Sequence, residues 1–485
     1  MGWNGGRMAS SSPAGSGLVR LADGFPPSSR EVWLAQAEQT LKGAPIGVLT
    51  RRSLEGTPIE VLYDASGTGP SPAKQQLGWD IRALVREPEV ARANQAALDD
   101  LRGGATSVLL RLDPTGAEGV AVGAGDDLAQ ALEGILLDVG AVALDAGFLG
   151  HVAAEWLSAA AKGAPAARLA FHLDPLSAFA AAGASPGPIE SHVTAAAAAA
   201  ARLAPTYPRA SLFLASGRVA HEAGAGEAVE LALAAAAAVA YAKAMARAGF
   251  ATDDAFDRIV LGLSVDTDVL LSIAKLRAAR RLWARLIDAC GVGGEARIEA
   301  RSSERVLTRS DPWTNMVRLT AMGFAGAVGG ADAVVLGAFT DALGSPTPFA
   351  RRQARNIQLV LAEEASLGRV IDPTAGSGVF EALTDEIARG AWLRFQEIEA
   401  AGGATRALQE GLIAGWASDG RGELTGRFAS RELKLLGVTD FPASDGAEVE
   451  LAEHAPCPVE APSTRLPGPD SRCPPLARVR LEDLA

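Results

Sequence analysis

Two histidines, one glycine-rich turn and one basic cluster are the local features of this 485-residue sequence that could do chemistry. His172 stands just before Asp174-Pro175 at the end of an apolar run, and His221 stands beside Glu222 where a helical stretch begins. Imidazole can act as acid, base or ligand near neutral pH. Each reads as a structural hydrogen-bonding residue, with a role as ligand or acid as the sharper alternative. DPTAGSG (372–378) follows a strand-like RVI; such a turn can bring backbone N–H groups against a phosphate. Lys275, Arg277, Arg280, Arg281 and Arg285 recur at helical spacing. That pattern reads as a solvated helix face, with phosphate or partner-carboxylate binding as the sharper alternative.

Composition narrows the rest. Five histidines and three tyrosines leave few groups for general acid–base work. The three cysteines, Cys290, Cys457 and Cys473, show no C-x-x-C spacing, so neither a zinc site nor a disulfide framework is expected. A net charge of −12 without a basic block argues against a nucleic-acid surface. The first residues lack the apolar core of a signal peptide, and the alanine run 195–201 reads as a soluble helix. A cytoplasmic location is expected.

The elements that must position these residues follow one theme from about Thr106: a short apolar run, a polar or glycine turn, then a helix. Strands are expected at 107–113, 141–144, 168–173, 211–215, 258–263, 296–300 and 333–336, with long helices at 223–247, 267–289, 313–327 and 350–366. Such alternation predicts an α/β fold with a parallel sheet, and this many units favour the closed (β/α)8 TIM barrel over an open doubly wound sheet. The expected division is a flexible leader over 1–28, an N-terminal arm over 29–105 with a helix from Ser29 and a small strand pair around Gly56, the barrel over 106–377, a helical extension over 378–420, and a reduced, largely disordered, proline-rich tail over 421–485. In a barrel, chemistry sits at the C-terminal strand ends. Those ends supply Asp113, His172–Asp174, Ser216–Arg218, Ser264–Asp266, Ser302–Glu304 and Gly337–Thr340, a polar rim in which no carboxylate pair flanks a histidine in sequence.

Seven stretches, in order, resemble the barrel of the methylmalonyl-CoA mutase family: GWDIR (78–82), FHLDPLSA (171–178), ASGRVAHEAGAGEAVELALA (215–234), AKLRAARRLWARL (274–286), SDPWTNMVRLT (310–320), FTDALGSPTPFARRQARNIQLVLAEE (339–364) and VIDPTAGSGVFEALTDEIA (370–388). DPTAGSG alone is similar to the loop of S-adenosylmethionine-dependent methyltransferases, but only helices follow it, so it reads as a barrel-closing turn. The mutase resemblance implies a barrel that threads an acyl-CoA along its axis, beside a flavodoxin-like domain that holds adenosylcobalamin through a histidine. It also implies three catalytic positions, all of them changed here. Leu84 stands where catalytic chains carry a tyrosine that shields the radical. Gly217, Arg218 and Val219 stand for Gly-Tyr-His, so valine replaces the histidine that hydrogen-bonds the thioester carbonyl. Val335 and Gly337 stand for a His-x-Asn that faces the cofactor.

No Asp-x-His-x-x-Gly follows residue 420, so neither a cobalamin domain nor a cofactor bound by this chain is expected. These losses imply the small, non-catalytic partner of a heterodimer for converting methylmalonyl-CoA to succinyl-CoA, with adenosylcobalamin on the large catalytic subunit and the interface on residues 29–75 and the helix surfaces. The alternative is the barrel chain of a split acyl-CoA mutase that works with a separate cobalamin-binding chain. Arg82, Arg277, Arg280 and Arg281 are the candidate contacts for CoA phosphates or for the interface.

Overall fold

Eight short strands, all parallel, close into a barrel in the computed structural model, which describes residues 29–64, 71–164, 166–442 and 448–485. The leader expected over 1–28 lies outside the described residues. By internal contacts the chain divides into a unit of residues 1–51 and a unit of residues 52–485. In the first, a helix over Arg30–Thr40 starts at Ser29, whose hydroxyl accepts from the Val32 amide, and a 3-10 turn covers Ile46–Leu49.

The second unit holds the barrel: β1 (Asp80–Val85), β2 (Ser107–Arg111), β3 (Ala141–Asp145), β4 (Leu169–Leu173), β5 (Ser211–Ser216), β6 (Ile259–Val265), β7 (Ile298–Ser302) and β8 (Ala333–Leu336). β8 closes the ring by pairing with β1, Ala333 opposite Asp80 and Leu336 opposite Ala83. The barrel therefore begins at Asp80, not at 106; residues 80–105, assigned above to the arm, supply its first strand and the helix Val90–Arg102. Polar inward positions hid that strand, since Asp80 and Arg82 break the apolar run expected of a buried strand.

Helix Glu227–Arg247 shows why the sequence folds around this ring. Between Glu230 and Lys243 it is apolar on every side, as a helix covered all round can be. It is also the one described helix long and apolar enough to cross a membrane, yet 83% of that stretch is buried in the protein, which makes it a core helix. Its first turn is capped from a distance: the Glu55 carboxylate accepts the Ala228 amide at 2.7 Å and the Val229 amide at 3.0 Å. Helix Gly378–Ala400 forms a second layer, packed on Glu227–Arg247 and on Val269–Ala289. That layer corrects the reading of the basic cluster as a solvated face: Lys275, Arg277 and Arg280 are buried. DPTAGSG does not close the barrel. It links the ring to the outer helix, and no strand precedes it.

The end of the chain departs furthest from expectation. Helices continue through Ala404–Gln409 and Leu412–Ala429, and the proline-rich segment after them is docked rather than disordered. Its amides donate to carbonyls of loops and helix ends: Leu466 to Pro186, Cys473 to Gly183, Leu476 to Ala180, Val479 to Glu222 and Leu481 to Arg305. Cys473, Leu476 and Leu481 are buried as its anchors. Prolines forbid helix and sheet here, but they also bring no amide that needs a partner, so an extended strap can be satisfied by loops.

Candidate functional site

Inside the barrel, side chains fill the axis. Leu84 on β1 and Val335 on β8 meet Leu109, Ala143 and Ala170 in one apolar cluster. Two of the three positions singled out by the resemblance are thus neighbours. Beside it runs a ladder of buried charge. Arg82 donates to Glu299, to Asp80 at 2.7 Å and to Ser107 at 2.9 Å. Arg301 donates to Glu299 at 2.6 Å and to Asp145 at 2.8 Å. Burial opposes ionisation of Glu299, but Arg301, His172 and Arg82 outweigh it and hold its carboxyl well below the ordinary range. Asp145 is depressed in the same way, burial being overcome first by Arg301 and then by Arg111.

Val219, the third changed position, lies above this ladder on the short helix Arg218–Glu222 and lines a cavity of about 190 Å³ at the C-terminal mouth. Leu144, Leu214, His172, Asp174, Arg218, Glu304 and the tail residues Leu476 and Arg478 share that lining. Arg478 reaches Glu304 at 3.0 Å, and Glu304 falls to about 2, burial being outweighed by Arg478 and Arg111. Asp174 moves the other way. Burial pushes its carboxyl up to about 7, against hydrogen bonds from Ser177 and from the Tyr241 hydroxyl at 2.5 Å.

His172 is held oddly. The β4–β5 register shifts between Ala170 and Leu173, and His172 takes a left-handed φ of +47°. That bulge aims the ring into the barrel, where burial pushes its pKa down to about 4.

Behind the mouth, the sequence reading missed a histidine flanked by carboxylates. His221 Nδ1 lies 3.2 Å from Glu230 and Nε2 lies 3.3 Å from Asp266, with Lys275 on Glu230 at 2.6 Å and Arg305 on Asp266 at 2.7 Å. Glu230 drops to about 2 because Lys275 and His221 outweigh its burial. These partners come from the loop after β6, from helices Glu227–Arg247 and Val269–Ala289 and from the loop after β7, so no local spacing announces them. The one available signal was Glu227 and Glu230 in an otherwise alanine-rich helix. The group is sealed inside the protein and does not line the cavity.

The four candidate arginines are not brought together. Arg82 is in the axial ladder. Arg277 holds Asp372 and Glu381, Arg280 holds Asp332 at 2.9 Å, and Arg281 holds Asp385 at 3.1 Å, all on the outer side of the ring. Among the described residues no group of three His, Cys, Asp or Glu is placed to hold a metal ion.

A closed, parallel eight-stranded barrel with a polar rim at its C-terminal mouth defines the (β/α)8 fold. The family model for methylmalonyl-CoA mutase matches residues 76–464. The methylmalonyl-CoA mutase small subunit of Streptomyces virginiae is 40% identical over 397 residues, 80% of this chain and 62% of the relative. That of Propionibacterium freudenreichii subsp. shermanii is 32% identical over 471 residues, 89% of this chain and 71% of the relative. The probable mitochondrial methylmalonyl-CoA mutase of Caenorhabditis elegans is 27% identical over 463 residues. The chain belongs to the methylmalonyl-CoA mutase family, and it spans less than two thirds of the Streptomyces relative's length.

Proposed function

We propose that this chain is a small, non-catalytic subunit of an adenosylcobalamin-dependent methylmalonyl-CoA mutase, and that it stabilises a larger catalytic barrel chain. The filled barrel axis carries the reading. Arg82, Glu299 and Arg301 expose 10%, 0% and 8% of their side chains, so an acyl-CoA threaded along the axis would have to displace buried ion pairs. Breaking such a pair leaves an uncompensated buried charge, at about 3–5 kcal/mol.

The mouth supports the same reading. Val219 has no hydrogen to donate to a thioester carbonyl, and Leu84 has no phenolic edge. Losing one such donor typically costs about a hundredfold or more in rate. The residues at the mouth also do not fit a corrin. Val335 and Gly337 offer no side-chain donor toward that face, and the tail crosses the mouth with its amides bonded to Glu222 and Arg305. His454 sits on the tail beside Arg92 at 3.2 Å, away from the mouth cavity. The cofactor is accordingly assigned to the partner.

The partner surface would include the N-terminal unit, where Val32, Val48 and Leu49 are 48%, 61% and 46% exposed. Exposed apolar groups of this kind suit an obligate interface. Co-expression with a larger mutase chain tests the proposal. A stable 1:1 complex whose bound cobalamin stays with the larger chain when the two are separated is the expected result. Failure to form any complex with it would refute the subunit reading.

A further inference from the structure

The mouth cavity holds an arginine that the folded chain does not use. Four cations line it, Arg111, Arg218, Arg301 and Arg478, and four carboxylates, Asp145, Asp174, Glu222 and Glu304. Every carboxylate is engaged. Asp145 takes Arg301 at 2.8 Å and lies 3.9 Å from Arg111, and Glu304 takes Arg478 at 3.0 Å. Glu222 accepts from the Ser264 hydroxyl and from the amides of Glu304 and Arg305. Asp174 accepts from Tyr241 and Ser177. Arg111, Arg301 and Arg478 are thereby matched. The Arg218 guanidinium makes no hydrogen bond or ion pair with any described residue, and its Nε is fully buried.

A second group beside it is equally unused. His172 has a side chain only 1% exposed, and neither ring nitrogen has a hydrogen-bond partner; its Nδ1 stands 3.9 Å from Glu299, too far to bond. It is held there by a strand bulge and a left-handed backbone, a conformation that costs free energy and persists where surrounding structure imposes it. Arg218 is half-buried, and a cation left there without a partner carboxylate is a further deficit. Two such groups facing one cavity are what a site for an absent anion looks like.

We propose that the cavity binds a short-chain aliphatic carboxylate, gripped by Arg218 and His172. The one guanidinium on the cavity without a partner can hold one carboxylate with two parallel hydrogen bonds, and neutral imidazole supplies a further N–H. A phosphate dianion fits less well, because Asp145, Glu222 and Glu304 face the same space. The remaining wall is apolar, formed by Leu144, Leu214, Val219 and Leu476, and suits an alkyl chain. A volume of about 190 Å³ holds several waters or a small acid. The ligand would enter beside the tail, where Arg478 is 47% exposed. Arg218 and Val219 stand at two of the changed family positions, so the site belongs to what this barrel has become. It does not depend on whether the chain has a mutase partner.

Calorimetric titration of the full chain with butyrate, acetate and inorganic phosphate tests this. Butyrate is expected to bind saturably and about tenfold more tightly than acetate, because its longer chain leaves water, with phosphate weaker than butyrate. Arg218→Met should weaken butyrate binding about tenfold or more, while its own melting temperature equals or exceeds that of the unliganded wild type. Arg218→Lys should bind with intermediate affinity. Should Arg218→Met fail to fold, His172→Asn serves as the second variant, with binding weakened several-fold. No saturable butyrate binding by the wild type, unchanged binding in a folded Arg218→Met, or phosphate bound more tightly than butyrate would each overturn the proposal.

Discussion

Asp174 shows at the scale of one residue how this barrel mouth is tuned. Its carboxyl is pushed up to about 7 by burial, against 3.8 for the free group. Between those values the folded chain holds a proton that the unfolded chain has released, so this residue lowers stability as pH rises from about 4 to about 7. Asp174→Asn keeps an acceptor for Tyr241 and Ser177 without the titration. Relative to the wild type it should gain about 1–2 kcal/mol between pH 5 and pH 8, read as a rise in unfolding midpoint over that window. A parallel pair of curves would contradict the assignment. The depressed groups act oppositely: Glu230 and Glu304, both at about 2, contribute stability above their unfolded pKa that is lost as pH falls toward 2.

Little of this was legible in the sequence. Leu84, Val219 and Val335 could be singled out only through resemblance, because an apolar residue in a barrel announces nothing by itself. His221 was readable as a structural residue, but its partners Glu230, Asp266, Lys275 and Arg305 are supplied by four other places in the chain.

Elements were easier to read where one side of a strand or helix faced oil, and harder where charge was buried. The seven later strands stand where apolar runs placed them, whereas β1 was assigned to the arm because Arg82 and Asp80 point into the barrel. Helix Val269–Ala289 looked solvated because the partners of its basic residues are distant in sequence: Arg277 and Arg281 pair with the outer helix Gly378–Ala400 and its leading loop, Lys275 with Glu230 and Arg280 with Asp332. The tail was misread for a related reason. Its proline content excludes regular structure, not docking, and its anchors Cys473, Leu476 and Leu481 are too sparse to form a periodic signal. Leu481 is 7% exposed, so Leu481→Ala should cost about 2–3 kcal/mol of local docking. The expected readout is faster tryptic cleavage at Arg478 and Arg480 than in the wild type. Rapid cleavage of the wild-type tail at those sites would mean that it is not docked in solution.

At the scale of the whole molecule, strand–helix alternation was enough to give a closed barrel, and the resemblance was enough to give the family. What the barrel does depends on its interior, where charged residues far apart in sequence meet: Arg82 from β1, Asp145 from β3, Glu299 and Arg301 from β7. The proposed non-catalytic role rests on a channel filled by that ladder, crossed by the chain's own tail and lined at the mouth by Val219. The most direct measurement is succinyl-CoA formation from methylmalonyl-CoA with added adenosylcobalamin, made with this chain alone, with a larger mutase chain alone, and with the two co-purified. A non-catalytic subunit gives no product by itself and raises or sustains turnover in the complex. Turnover by this chain alone would contradict the proposal and would mean that Leu84 and Val219 do not mark a silent site.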